Sequence, residues 1–179
     1  PPPVQPNGKE PTRFVPVPGV AKVRNRALVR AMESFREMSE KSPWNRVRGN
    51  GKVGVLASGI SRGYLNDAIL QGGCESELTI FELGFSYPLP ENKLCDFMRK
   101  VDKVLVLEEL EPIVETELRA LAQRNGIQAE IPGKGGPLTG VCEYDTPKVA
   151  EPLAAAPGKP HHPVPPNQPE EAPQRPPNT

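Results

Sequence analysis

Apolar residues recur along the middle of the chain in two alternating rhythms. Leu28, Met32 and Phe35, flanked by Ala31 and Met38, repeat at helical spacing and predict a helix over Asn25–Lys41, with Asn25 as N-cap. Ser42-Pro43 stops it, because the residue before a proline avoids the helical region. The solitary Trp44 is expected to pin this helix to the rest. Gly49-Asn-Gly51 reads as a turn, and Lys52–Ala57 as the first strand. Ser58-Gly59 closes that strand. The next helix begins near Ser61 or Asn66, carries Tyr64, Leu65, Ala68 and Ile69, and ends at Gly72-Gly73.

The organising stretch is Leu78–Pro112. Leu78–Leu83 is rich in β-branched and aromatic residues and suits a strand. Tyr87-Pro-Leu-Pro90 makes a stiff exit, and Pro90 can open a helix whose Leu94, Phe97, Met98 and Val101 share one face. Val104–Leu107 is a continuous apolar run, as in a strand buried on both sides. A helix bearing Ile113, Val114, Leu118 and Leu121 ends at Asn125-Gly126. Ile127–Ile131 reads as a short last strand, Gly133–Pro137 as a loop, and Thr146–Ala155 as a short helix opened by Pro147. Strands and helices in alternation predict a three-layer α/β/α fold with a mainly parallel sheet of four to five strands.

Composition sets the limits of this domain. The chain has 179 residues, and its 24 prolines crowd the two ends. Residues 1–19 and 157–179 are therefore expected to be proline-rich, flexible segments around a domain at 20–156. Lys plus Arg and Asp plus Glu number 22 each, so the net charge is zero and no basic face points to nucleic acid or an anionic membrane. No apolar run approaches the ~20 residues of a membrane span. Cys74, Cys95 and Cys142 are widely separated, without metal or redox spacing, and read as reduced thiols of a cytoplasmic protein.

Ligands of α/β domains bind at the carboxyl ends of the parallel strands. Here that rim is predicted at Ser58-Gly59, at Gly84–Pro90 with Tyr87, Pro88 and Pro90, and at Glu108, Glu109 and Glu111. Ser58–Gly63 matches neither GxGxxG nor a phosphate loop, and a tight strand-to-helix turn explains it as well. The glutamates could serve as acids or bases if desolvated. Capping a helix start or contacting a subunit is the better reading, since helix N-termini converge on that edge with free N–H donors. No serine or cysteine has a base to pair with: His161 and His162, the only histidines, sit in the proline-rich tail. No catalytic, cofactor-binding or metal-binding residue is assigned.

Four segments carry a family resemblance: SPWNRV at Ser42–Val47, VGVLASGIS at Val53–Ser61, LGFSYPLPENKL at Leu83–Leu94 and VDKVLVLEELEPIVETEL at Val101–Leu118. Together they resemble the alpha subunit of indolepyruvate:ferredoxin oxidoreductase, over about residues 13–150. The resemblance implies the transketolase C-terminal-like domain of a thiamine-diphosphate enzyme that oxidatively decarboxylates an aryl pyruvate to an acyl-CoA. It implies thiamine diphosphate, magnesium and iron–sulfur clusters for an intact enzyme, and none in this chain. The family's Gly-Asp-Gly motif and cluster cysteines are absent here. The implied partners are the other domains of the alpha subunit, a beta subunit and ferredoxin. On this reading the chain is a non-catalytic structural or assembly domain. The alternatives are a free-standing α/β module that binds a ligand at the strand-end rim, or an adaptor whose proline-rich ends recruit partners.

Overall fold

The computed structural model describes residues 17–155. Helix α1 (Pro18–Lys41) leads into strand β1 (Asn45–Gly49) and strand β2 (Val53–Ser58). Helix α2 (Ser61–Gly72) and a 3-10 turn (Glu75–Glu77) lead to β3 (Leu78–Leu83). Helix α3 (Glu91–Met98), β4 (Lys103–Leu107), α4 (Ile113–Arg124) and α5 (Thr146–Ala155) complete the domain. The sheet order is β1-β3-β2-β4. Strands β2, β3 and β4 are parallel, with Val55 opposite Ile80 on one side and Leu105 on the other. Strand β1 runs antiparallel to β3 along the edge, with Arg46 opposite Glu82.

The core has two halves, one on each face of the sheet. Val55, Ile80, Leu105 and Leu107 meet Leu65 and Ile69 of α2 and Val149 and Leu153 of α5. Leu56, Phe81, Val104 and Val106 meet Leu94 and Phe97 of α3 and Leu118 and Leu121 of α4. Each fully buried Leu, Ile or Phe contributes about 1.5–3 kcal/mol, so both apolar layers are needed to hold the sheet. The rings of Phe81 and Phe97 meet edge to face at 5.5 Å. Gly54 makes this closeness possible: a Cβ there would lie 2.9 Å from both Phe97 and Val101. The three-layer architecture is the one the alternation of strands and helices predicts.

Several local features differ from the sequence reading. Helix α1 starts at Pro18 rather than Asn25, since proline is well suited to the first helical turn. Residues 18 and 19 are thus helical rather than extended; residues 1–16 and 156–179 lie outside the described residues. Trp44 does not anchor α1, for its side chain is 69% exposed. The anchor is Asn45 beside it. Its Nδ2 donates to the carbonyls of Ser39 (3.0 Å) and Phe85 (3.1 Å), and its Oδ1 accepts from the N–H groups of Gly84 (3.0 Å) and Phe85 (2.8 Å). Ile127–Ile131 does not form a full strand. It joins β4 through one parallel bridge, Lys103 with Glu130, where the Val104 N–H donates to the Glu130 carbonyl at 2.7 Å.

Candidate functional site

The strand order places a crevice where an α/β sheet offers one. From the central β2 the chain turns through α2 on one face to β3, then crosses through α3 on the other face to β4. The loops that follow β2 and β4 therefore diverge, leaving a gap at the carboxyl ends of these two strands. The gap is lined by Ser58–Ser61, Glu108–Glu111 and Ile113, and encloses about 440 Å³. It unites five of the rim residues expected from the sequence: Ser58, Gly59, Glu108, Glu109 and Glu111. Tyr87, Pro88 and Pro90 follow β3 and do not line it. Tyr87 is exposed, joined to Pro88 by a cis peptide bond, while Pro88 and Pro90 are buried.

Two of the three carboxylates of this crevice, those of Glu108 and Glu109, are already engaged. Helix α4 opens at Ile113 after Pro112, which has no side-chain acceptor to offer the first turn. Glu108, at the end of β4, supplies it: Oε2 accepts from the Val114 N–H and Oε1 from the Glu115 N–H, both at 2.8 Å. Glu108 is only 7% exposed, so water could not replace those bonds. Glu109 accepts from the Tyr144 N–H at 2.9 Å and ties down the segment that leads into α5. Glu111 is exposed, and its carbonyl accepts from the Ile113 N–H. Between them Leu110 adopts a positive φ of 57°, a strained conformation for a branched residue, and its carbonyl accepts from the Lys134 ammonium.

Glu115, Arg119, Lys134 and Tyr144, which neither periodicity nor motif singled out, complete this network. Glu115 is buried, pairs with Arg119 at 3.1 Å and accepts from the Lys134 N–H at 3.2 Å. The Tyr144 hydroxyl donates to the Thr139 carbonyl at 3.1 Å. Burial, and then the charges of Glu108, Glu115 and Glu109, push the Tyr144 phenol up to about 12. The phenol is therefore a fixed donor at neutral pH rather than a proton shuttle. The tyrosine and Lys134 come from a stretch of turns with no hydrophobic period, which read only as a loop at Gly133–Pro137 and left no signal for their contacts.

The chemistry open to this site is narrow. Ser58 and Ser61 are its hydroxyls, and among the described residues no lysine or arginine lines it. Glu108 and Glu109 spend their oxygens on backbone N–H groups, so of the three glutamates only Glu111 is left to hold the magnesium of a diphosphate, and the crevice fits thiamine diphosphate poorly. The cysteines do not suit a shared iron–sulfur cluster, because Cys74 packs on one face of the sheet and Cys95 on the other. Burial pushes the thiols of both above the ordinary cysteine value, which disfavours the thiolate that metals bind. Among the described residues no helix is long and apolar enough to cross a membrane.

Known proteins give this domain its relatives. No protein-family model matches the chain. The chain is similar to the indolepyruvate oxidoreductase subunit IorA of Methanothermobacter thermautotrophicus, 36% identical over 156 residues. That match covers 85% of this chain and 25% of the relative. The IorA subunits of Pyrococcus abyssi and Thermococcus kodakarensis are 35% and 37% identical over 128 residues, 70% of this chain and 20% of theirs. The chain is thus a homologue of the indolepyruvate oxidoreductase IorA subunits, matching about a fifth to a quarter of their length.

Proposed function

We propose that this chain is a structural and assembly domain, without catalytic residues of its own, of a thiamine-diphosphate-dependent indolepyruvate:ferredoxin oxidoreductase. The observation that carries this reading is the use of the rim carboxylates. Glu108 and Glu109, the most conspicuous candidates for acid–base work, spend their oxygens on backbone N–H groups. A general acid needs the reverse, burial without donors. The similarity to indolepyruvate oxidoreductase subunits supports the reaction proposed for the whole enzyme, the oxidative decarboxylation of an aryl pyruvate, in which thiamine diphosphate, magnesium and iron–sulfur clusters would be held by other parts. The contribution of this chain is a rigid two-faced sheet that positions neighbouring domains, a beta subunit among them, in the cytoplasm.

Calorimetry and co-purification test this reading together. The chain titrated with thiamine diphosphate and magnesium is expected to give no micromolar binding, and to reduce no viologen dye with indolepyruvate and coenzyme A. Expressed alongside the remainder of an IorA-type subunit and its beta subunit, it should co-purify in equal proportion. Tight one-to-one cofactor binding, or elution of the chain always on its own, would contradict the proposal. A second reading, a free-standing binding module, is favoured by the crevice at the point where the strand order reverses. It expects Ser58→Trp to abolish binding of a small uncharged or cationic ligand while leaving co-purification intact.

A further inference from the structure

Three grooves run together along the carboxyl edge of the sheet. The crevice between the ends of β2 and β4 shares Gly59 and Ile60 with a second groove, of about 360 Å³. That groove reaches across to Arg46 at the start of β1 and shares Trp44 with a third, of about 530 Å³, against the last turns of α1. Ile113, Leu110, Ile60, Trp44 and Met38 line this band in turn, and each is between 55% and 69% exposed. An apolar side chain exposed singly needs no explanation, but five joined through shared grooves mark a contact surface. Tryptophan, methionine and arginine are also the residues that interfaces favour.

The charges along the band select its occupant. Arg46 and Arg62 stand in the middle groove with Glu82, whose two oxygens are already held by Arg46 and Arg48. The middle is therefore cationic. Exposed Glu111 lies at one end, and the other end holds the Glu37–Lys41 pair, which carries no net charge. A second copy placed on the band by a two-fold axis through its middle would set arginine against arginine. A complementary surface has a carboxylate at its centre, a basic residue towards Glu111 and apolar side chains between them. The IorA subunits similar to this chain extend well beyond it, since the matches cover only 20–25% of their length. A domain embedded in so much further chain has its nearest neighbour within the same subunit. We propose that this band is the face on which the domain docks the rest of an IorA-type subunit, through a surface of that complementary pattern. The proposal rests on the assembly reading above and names the surface which that reading leaves open.

Co-expression of the full chain with the tagged remainder of an IorA-type subunit tests the face, the chain retained on the tag being the readout. Trp44→Asp and Ile60→Asp should each cut retention at least about tenfold, and Arg62→Glu should lower it too. Leu70→Asp should leave it unchanged, because Leu70 is 83% exposed but stands at the far end of α2. Ile60 is the N-cap of α2 and offers no capping bond, whereas aspartate favours that position. Ile60→Asp should therefore melt no lower than the unaltered chain, so that lost retention reads as lost contact. Retention that neither Trp44→Asp nor Ile60→Asp lowers overturns this proposal and leaves the assembly reading standing. No retention of the unaltered chain overturns both. Sedimentation of the chain alone, up to about 100 µM, should show a monomer. A dimer that the same two variants dissolve would give the band to a second copy and overturn the proposal.

Discussion

Helices α3 and α4 begin alike and are secured in different ways. Each follows a proline, Pro90 or Pro112, whose side chain offers no hydrogen bond to the first turn. Each instead receives a two-oxygen glutamate cap. For α4 the acceptor of that cap is local: Glu108 stands five residues before Ile113 and is buried. For α3 it comes from far away. Glu40 near the end of α1 accepts from the Asn92 N–H at 2.7 Å and the Lys93 N–H at 3.3 Å. The same chemistry therefore does two things. The local cap fixes the rim of the crevice and is part of the domain's own stability. The distant cap is a tether, and its main effect is to hold an otherwise exposed helix against the body. Lys93 strengthens that tether by donating to the Ser42 and Asn45 carbonyls at 3.1 and 2.9 Å.

The contrast can be broken at four points. The largest effect is expected at Glu108. Glu108→Ala leaves two N–H groups of a buried helix start without an acceptor and should cost about 1–3 kcal/mol. Thermal unfolding should show a fall of several degrees, with Glu108→Gln in between. The next largest is alkaline weakening of the β4 end. The Tyr144 phenol ionises near 10 in an unfolded chain and at about 12 here, so the unfolded state loses its proton first. The stability held by the protonated phenol is fully present below pH 10 and falls as pH rises towards 12. Melting temperature against pH should show that decline, and Tyr144→Phe should flatten it.

Acid addresses the opposite edge of the sheet. Burial pushes the Glu82 carboxyl up, but its bonds to Arg46 at 2.8 Å and Arg48 at 3.2 Å outweigh this and hold it below its ordinary value. A depressed value means stability that is present above about pH 4.3, the unfolded value, and lost as pH falls through the folded one. Glu82→Gln should remove that acid-dependent part, and leave the alkaline decline of Tyr144 unchanged. The smallest effect is expected at Glu40. Glu40→Ala should cost about 0.5–1 kcal/mol, and its signature is local: limited proteolysis should cut within α1 sooner, while the melting of the α/β body stays nearly constant.

The sequence showed the body of the fold far better than its attachments. Val104–Leu107 is apolar throughout, Leu78–Leu83 is apolar but for Thr79 and Glu82, and Leu94, Phe97 and Met98 keep helical spacing, so their layers follow from pattern and periodicity. Strand β1 escaped that reading because Asn45-Arg-Val-Arg-Gly49 has one apolar residue. It is held by backbone pairing with β3 and by Arg46 and Arg48 on Glu82, none of which leaves a hydrophobic pattern. Trp44 misled for a related reason: size suggests burial, but the turn after α1 is fastened by the hydrogen bonds of Asn45 and the tryptophan is left 69% exposed. Position alone was enough for Glu108 and Glu109, because a residue after a central strand must emerge among helix starts. Glu40 could not be found this way, as it lies 52 residues from the N–H it caps.

Glu108 and Glu109 serve the rim as structural acceptors, and for Glu108 amide hydrogen exchange tests this at the bonds themselves. In the unaltered chain the N–H groups of Val114 and Glu115 should be protected although they stand in the first turn of a helix, where amides ordinarily exchange freely. In Glu108→Ala their exchange should quicken at least about tenfold, while Leu118 and Leu121 further along α4 change far less. Equal exchange at Val114 and Glu115 with and without the Glu108 carboxylate would contradict the account.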